Sequence, residues 1–336
     1  MRVVVTGGIG AVGKAVVERL LHDGWEVRVI DRRPDGELAG VDYRVCDITN
    51  YEAVREQVRG CQAVVHLAAI PNPLAVPATE LFPINVTGTY NVFEAAADEG
   101  IRRVVQASSI NAFGCFWGTQ EMVVDYFPID EEHRTHTTDV YSFSKELVED
   151  IGAYYWRRAG ISSLALRFPG VWSRARMTSP EGQQQRARAR ALIDEFAAQP
   201  AAERSARWAA LQQATQAFRA QKHMEYPLGH GGIKREGASD DPLWPVYAFE
   251  RFNFWAYVDE RDAAQSVARG LRADFTGAHA LFINAQNNSL AYDAQRLVNL
   301  FFPAVTQWKQ PLSGPASLVS TAKARALIGY EPEHTL

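Results

Sequence analysis

The feature that most constrains this chain is its start, Arg2-Val3-Val4-Val5-Thr6-Gly7-Gly8-Ile9-Gly10-Ala11-Val12-Gly13. A short β-branched run ends in a glycine-rich turn, and an apolar-periodic segment, Ala11 to Asp23, follows at once. Strand, tight turn and helix in that order bring free N–H groups and the positive end of a helix dipole to one point, where a pyrophosphate can sit. Glycines at 7, 8, 10 and 13 suit a tight turn, close ligand approach and close helix–strand packing. A βα turn also carries glycines for backbone reasons alone, so the context decides.

That context is an alternation of strands and helices. Glu26 to Ile30 reads as a second strand closed by Asp31, and Asp42 to Cys46 as a third, ending in Asp47-Ile48 before a helix from about Tyr51. Ala63 to Leu67 is a strand ending in Ala68-Ala69, Glu80 to Gly100 a long helix, and Arg102 to Ala107 a strand ending in Ser108-Ser109. Strands separated by helical segments of this length predict an α/β, Rossmann-type, doubly wound parallel sheet. Ligands of such sheets bind off the carboxyl ends of the strands, and Gly7–Gly13, Asp31, Asp47, Ala68 and Ser109 all fall there. A carboxylate about 20 residues past the glycines suits an adenosine ribose diol and repels a 2′-phosphate, which favours NAD over NADP. Arg32 and Arg33 pull the other way, since either could hold a phosphate; otherwise they belong to a solvated turn into Pro34-Asp35-Gly36.

Composition narrows the classes. A net charge of −4, with no basic run flanked by stacking aromatics, argues against nucleic acid as a partner. No apolar run reaches the ~20 residues of a membrane span, and Met1 opens directly into a strand, so neither a membrane partner nor a signal peptide is expected. Cys46, Cys61 and Cys115 are few, odd in number and not in metal-ligand spacing, which suits buried reduced thiols in a cytoplasmic protein. No metal site is expected; His133 and His136, three apart without a partner cluster, read as surface residues.

Further on, Tyr141-Ser142-Phe143-Ser144-Lys145 opens a helix to about Ala159. Positions i and i+4 share a helix face, so Tyr141 and Lys145 can point into one crevice. A nearby ammonium and an oxidised nicotinamide ring would favour tyrosinate and bring its pKa down from ~10. A serine such as Ser109 could fix a substrate oxygen beside it.

Together, Thr6-Gly7-Gly8-x-Gly10-x-x-Gly13, Asp31, Asp47-Ile48, His66-Leu67-Ala68-Ala69, Asn85-Val86-x-Gly88-Thr89-x-Asn91-Val92, Ser108-Ser109 and Tyr141-x-x-x-Lys145 resemble the extended short-chain dehydrogenase/reductases. More narrowly, the chain resembles the NAD-dependent epimerase/dehydratase family over residues 1–175 and again at Trp255–Ala264. The resemblance implies that Gly7, Gly10 and Gly13 line the pyrophosphate, that Asp31 binds the ribose, that Asp47 and Ile48 border the adenine, and that Ala68 and Ala69 approach the cofactor. It extends the cofactor set to Ile9, Ala11, Val12, Arg32, Leu67, Asn85, Pro169 and Val171. It implies Ser109, Tyr141 and Lys145 as catalytic residues, Tyr141 as acid/base and Lys145 holding the nicotinamide ribose. Ile70, Ser109, Ile110, Asn111 and Trp255 are the implied substrate contacts. Asn85 reads equally as a helix-packing residue.

The departures from that pattern are informative. Ile110 and Asn111 stand where dehydratases of the family have acidic residues, which disfavours elimination of water. Gly170 stands where nucleotide-sugar enzymes have an asparagine, and the arginine they carry near Trp255 is missing, so a nucleotide-diphosphate substrate is not expected. Trp255 in its context resembles uronate-dehydrogenase-like members. The implied activity is an NAD(P)-dependent hydride transfer to or from a small polar molecule, a sugar or sugar acid. An epimerase with recycled NAD and a non-catalytic NAD(P) sensor are the alternatives.

Three segments follow: 1–173 as cofactor core, 174–254 as an inserted, mainly helical substrate lobe or lid, and 255–336 as a return to the core with further lobe elements. In the second, Pro200 separates two expected helices, and Gly229–Gly232 and Glu236–Asp241 read as surface loop. A lid is preferred for this lobe over a dimer contact, though a homodimer is compatible with either. Helices are expected over Asp262–Leu271, Leu290–Phe301 and Ser320–Leu327, with a strand at Ala280–Asn284. Phe116-Trp117 and Val123 to Pro128 lie in a stretch between Ser109 and Tyr141 that exceeds the family's usual length, and either wall the substrate pocket or pack a loop.

Overall fold

The computed structural model describes residues 1–34, 36, 38–233 and 238–336. The turn expected at Pro34-Asp35-Gly36 and the start of the loop expected over Glu236–Asp241 lie partly outside the described residues. Arg2–Thr6 (β1) leads through the glycine turn to Ala11–His22 (α1), then Glu26–Asp31 (β2), Asp42–Val45 (β3), Tyr51–Val58 (α2) and Ala63–His66 (β4). Ala78–Phe82 (α3), a π-helical turn at Pro83–Thr87 and Gly88–Asp98 (α4) precede Arg103–Ser109 (β5). Tyr126–Phe127 (β6), Val140–Ala159 (α5), Ser162–Phe168 (β7) and Gly170–Trp172 (β8) come next.

Among the described residues, seven parallel strands form one sheet in the order β10-β7-β5-β4-β1-β2-β3, where β10 is Ala278–Phe282. The order reverses between β1 and β4, which opens a crevice off their carboxyl ends. The sheet is buried on both faces, so β1 is apolar at successive positions rather than alternating. Val3 and Val5 join one cluster with Val16 and Leu20 of α1, while Val4 joins another with Val54 of α2 and Val92 of α4.

The long helix expected from Glu80 is interrupted. Pro83 has no N–H to give to the preceding turn, and the chain widens into π-helical geometry before α4 begins at Gly88. This leaves room for Ile48, which packs where a Cβ on Gly88 would lie, 2.5 Å from Ile48 Cδ1.

The remaining elements are Arg174–Thr178 (α6), Pro180–Ala198 (α7), Ala201–Ala220 (α8), Tyr257–Asp259 (β9), Glu260–Arg272 (α9), Ala294–Phe301 (α10), Gln307–Trp308 (β11) and Ala322–Ile328 (α11). Helix α10 starts four residues later than expected. Asn288 Oδ1 accepts from the N–H groups of Leu290 and Tyr292, Ala291 is left-handed at φ 48°, and Asp293 caps the helix through Arg296 N at 2.8 Å. Two short parallel pairs, β8–β9 and β6–β11, have too few residues to leave a periodic signal. Phe127 is buried against Phe302, so this part of the long segment packs into the core rather than lining a pocket. A second core joins residues 110–129 to Ile193 and Phe196 of α7, Leu211 and Phe218 of α8, and the segment 243–256.

His133 corrects an expectation: it is buried, not on the surface, while His136 is exposed. Its Nδ1–H donates to Arg134 O at 3.0 Å, Nε2 accepts from Asp125 N at 3.1 Å, and burial holds its pKa below the usual value. The three cysteines are buried and unpaired, and burial pushes the Cys115 thiol well above its ordinary pKa, which argues against a nucleophilic thiolate there.

Candidate active site

The glycine turn is closed by contacts that tolerate no side chain. A Cβ on Gly13 would stand 2.3 Å from Gly7 O and 2.7 Å from Gly8 Cα, all backbone. Gly7 is at φ 70°, with Ala68 N 2.7 Å from the position of a Cβ. Gly10 is different: its φ of −69° is open to any residue, and a Cβ would meet Gly7 O alone, at 3.3 Å. Gly10 caps α1 with no side-chain bond, so the leading N–H groups of that helix have no side-chain acceptor. An uncapped helix N-terminus behind a turn stripped of side chains fits a dinucleotide pyrophosphate.

A buried relay ties this turn to the next strand end. Thr89 Oγ1 donates to Asn85 O at 2.6 Å, so it accepts from His66 Nε2 at 3.0 Å. His66 Nδ1 is then the acceptor for Thr6 Oγ1 at 2.7 Å, and the same Thr6 oxygen accepts from Leu67 N and Ala68 N. Burial, with Lys145 nearby, pulls His66 down to about 3, so the ring stays neutral and the tautomer is fixed. The relay sets 67–69 against the glycine loop.

At the far end of the crevice, Asp31 ends β2 and accepts from both the backbone N and the Nε of Arg33 at 3.2 Å. Arg33 thus pairs with the carboxylate, and both Arg32 and Arg33 are exposed. Asp47 accepts from Thr49 N and Oγ1 in the turn before α2, and Ile48 O accepts from Asn91 Nδ2 at 3.0 Å.

At the near end, a cavity of about 750 Å³ is lined by Val12, Leu67, Ala69, Ser109, Ile110, Asn111, Tyr141, Lys145, Pro169 and Val171 of the expected set. Three ties seat α5 on the sheet and aim its first turns here. Gln106 Nε2 donates to Val148 O at 2.8 Å, Ser108 Oγ to Glu149 Oε1 at 2.6 Å, and Arg167 is bidentate on Glu149. Asp139 caps α5 through Ser142 N, one residue before the helix begins at Val140.

Tyr141 is buried, and this pushes its pKa up to about 12, with the Ser109 hydroxyl acting in the opposite direction. Lys145 donates from Nζ to Ala107 O at 3.0 Å, and burial brings it down to about 8 against the pull of Glu149. Lys145 is held to Ala107 O of β5 rather than to the phenol, and burial dominates the shift of Tyr141.

Asn85, Ile70 and Trp255 of the expected set lie off the cleft, while Asn111 stays in its wall. Asn85 accepts from Ile70 N, donates to Ile70 O and to Ser144 Oγ, and so clamps Ile70 to α5, where that side chain packs on Leu81 and Tyr141. Asn111 spends its amide on Ser109 Oγ and Phe116 N. Trp255 lines an adjoining cavity instead. Phe116 and Trp117 do wall the cleft, and buried Arg219 of α8 holds that wall by donating to Phe116 O and Gly118 O. Arg176 and Asn253 also line the cleft, and neither belongs to a motif that sequence alone would single out; the basic residues just after β8 were the only hint of the first. Among the described residues, no three His, Cys, Asp or Glu side chains gather as metal ligands, and no helix is long and apolar enough to cross a membrane.

The profile of the NAD dependent epimerase/dehydratase family matches residues 3–209. The chain belongs to that family. As a family member it is 31% identical over 176 residues to an NAD-dependent glucose-6-phosphate dehydrogenase of Haloferax volcanii, covering 49% of this chain and 66% of that one. It is 30% identical over 168 residues to a uronate dehydrogenase of Pseudomonas putida, covering 49% and 59%. These alignments span 66% and 59% of the relatives' own length, less than two thirds, and about half of this chain. In fold it is similar to a short-chain dehydrogenase/reductase superfamily protein of Agrobacterium tumefaciens solved with bound NAD, at a TM-score of 0.63 and 19% identity over 100% of this chain and 93% of that one.

Proposed function

We propose that this family member is an NAD-dependent oxidoreductase acting on a hydroxyl or carbonyl carbon of a small polar substrate, a sugar or sugar acid. One observation carries the reading: Ser109, Tyr141 and Lys145 line a single cleft together with Val12, Leu67 and Ala69, which follow directly from the glycine turn and its relay. Gly7, Gly10, Gly13 and the start of α1 would hold the pyrophosphate, Asp31 the adenosine ribose, and Lys145 the nicotinamide ribose. When bound, NAD supplies the hydride acceptor.

The chain's own residues manage the proton. Ser109, at the end of β5, orients the substrate oxygen. Tyr141 Oη takes the hydroxyl proton in oxidation and returns it to the carbonyl oxygen in reduction. Burial keeps Tyr141 a neutral phenol at pH 7, so as it stands it is ready to donate, and oxidation speeds up as pH rises. On this reading the inserted segment 174–254 serves as a lid, since Arg176, Ile233 and Asn253 from it line the cleft.

The test incubates the purified chain with NAD or NADP and a panel of aldoses, uronic acids and small alcohols. Net NADH is expected from at least one sugar or sugar acid, and Tyr141→Phe is expected to lose roughly a hundredfold or more in turnover. Epimerised sugar without net NADH would replace this reading by that of an epimerase. No turnover of any substrate, with NAD bound, would refute both.

A further inference from the structure

Ser109 and Asn111 are both buried and both stand in the wall of the reaction cleft. Ser109 ends β5 in extended geometry and caps the short 3-10 turn Ile110–Phe113, so its Oγ accepts from Asn111 N at 3.1 Å. The Asn111 side chain folds back over the same oxygen and gives it a second bond, from Nδ2 at 3.3 Å. The orientation of that amide is fixed from its other side. Gly114, left-handed at φ 92°, turns the chain after the 3-10 turn, and Phe116 N returns to Asn111 Oδ1 at 2.9 Å. A backbone N–H only donates, so the amide oxygen faces Phe116 and the NH2 group faces Ser109. Cys115 Sγ lies 3.4 Å from the same amide oxygen, and burial keeps it a thiol, a further weak donor.

A serine hydroxyl has two lone pairs and one proton to give. With both lone pairs of Ser109 taken by Asn111, the proton is what remains, and its open side is the cleft, where Tyr141 stands. The Ser109 hydroxyl acts on Tyr141 as an O–H aimed at the phenol oxygen would, lowering its pKa against the effect of burial.

We propose that Asn111 is a positioning residue: by filling both lone pairs of Ser109 it fixes that hydroxyl as a hydrogen-bond donor to the reacting oxygen and denies it the role of acceptor. The inference rests on the oxidoreductase reading for the identity of that oxygen. In oxidation the hydride leaves carbon for the nicotinamide, the hydroxyl proton moves to the Tyr141 oxygen, and the carbon–oxygen bond becomes double. Ser109 donates to the oxygen throughout, so it stabilises the negative charge that builds there. Because Ser109 cannot accept, the substrate's own proton is left facing Tyr141. In reduction the same donor polarises the carbonyl. An acid at position 111 would undo this, since a carboxylate facing Ser109 takes the serine proton and turns a lone pair towards the substrate oxygen.

Two substitutions of the one residue test it. Asn111→Asp keeps the size of the side chain and its acceptor for Phe116 N, but sets an acceptor where the NH2 group faced Ser109. Asn111→Ala removes packing and leaves Phe116 N unpaired, yet leaves Ser109 free to donate. Steady-state kinetics on the sugar turned over by the wild type should show kcat down roughly a hundredfold in Asn111→Asp and less than about tenfold in Asn111→Ala. KM and NADH affinity are expected to stay within about twofold of wild type in both. A merely structural role gives the reverse order, and that order, or equal losses, would overturn the proposal. Neutron diffraction from the deuterated chain decides the same point without turnover. The Ser109 deuteron is expected on the cleft side in the wild type and on the line to the new carboxylate in Asn111→Asp. A wild-type deuteron directed at Asn111 would refute the assignment whatever the chain oxidises. Absence of turnover across the sugar panel would sink the oxidoreductase reading alone, so the two fail separately.

Discussion

Three glycines separate the role of the turn in folding from its role in holding a cofactor. In Gly13→Ala the new methyl would lie 2.3 Å from Gly7 O and 2.7 Å from Gly8 Cα, and these backbone atoms move only if the turn opens. Overpacking of that kind costs roughly 1–3 kcal/mol, and it distorts the anion cradle at the same time. Gly10→Ala costs less than about 1 kcal/mol, since φ is −69° and one atom lies at 3.3 Å, but it sets a methyl over the leading N–H groups of α1. Each hydrogen bond lost to a charged phosphate is worth about 1.5–3 kcal/mol, so NAD affinity should fall by roughly one to two orders of magnitude. Gly24→Ala is the control: φ is 80°, nothing lies within 4 Å, and the left-handed backbone alone costs about 1–2 kcal/mol. Urea unfolding and calorimetric titration with NAD should therefore give a stable, weakened binder at 10, a destabilised binder of full affinity at 24 and both defects at 13. A Gly10→Ala chain that binds NAD as wild type does would refute the pyrophosphate placement.

Other sites give independent tests. Lys145 is brought down to about 8 by burial, so between that pH and the unfolded value near ~10.5 the unfolded chain holds the extra proton, and its contribution to stability rises with pH. Lys145→Met should thus be the more stable protein at pH 7, by up to about 3 kcal/mol, with the difference closing by pH 10.5 in urea titrations. A gap that does not change with pH would mean that Lys145 is not held near neutrality by desolvation. Asp31→Ala removes the carboxylate that accepts from Arg33 twice, so NADP should gain on NAD in competitive titrations; unchanged preference would assign the choice elsewhere. Arg219→Lys keeps the charge but cannot span Phe116 O and Gly118 O, and should raise KM severalfold with kcat and NAD affinity nearly unchanged. A fall in kcat alone would show that the wall acts on chemistry, not on binding.

The cofactor half of the site was legible in the sequence because its requirements are local. Three backbone contacts among 7, 8 and 13 demand glycine whatever surrounds them, and the alternation of buried valine strands with helices places those glycines at a strand end. Tyr141 and Lys145 were legible for the same reason, being one helical turn apart on α5. What failed locally failed for identifiable causes. Pro83 was read through because a π-helical turn keeps the helical direction, so the apolar period survives around it. His133 looked like a surface residue because its two partners are backbone groups, Asp125 N and Arg134 O, which no residue pattern announces.

The substrate side was illegible for a different reason, which bears on how such chains diverge. Its wall is assembled from three separate stretches: Phe116 after β5, Arg176 and Arg186 after β8, and Asn253 and Trp255 before β9. Phe116 is held in place by Arg219, more than a hundred residues away, through carbonyl oxygens that any residue could provide. No spacing rule links these positions, because the link is the packing of α7 and α8 on the second core rather than the course of one strand or helix. Trp255 illustrates the point: it follows Phe254, both are left-handed, at φ 54° and 50°, and this turn buries its indole against Phe301 with the N–H left unpaired. A cost of that sort persists only where the surroundings over-determine it. The cofactor core is therefore recognisable from local pattern alone, while what reaches Tyr141 is decided by packing among segments far apart in the chain.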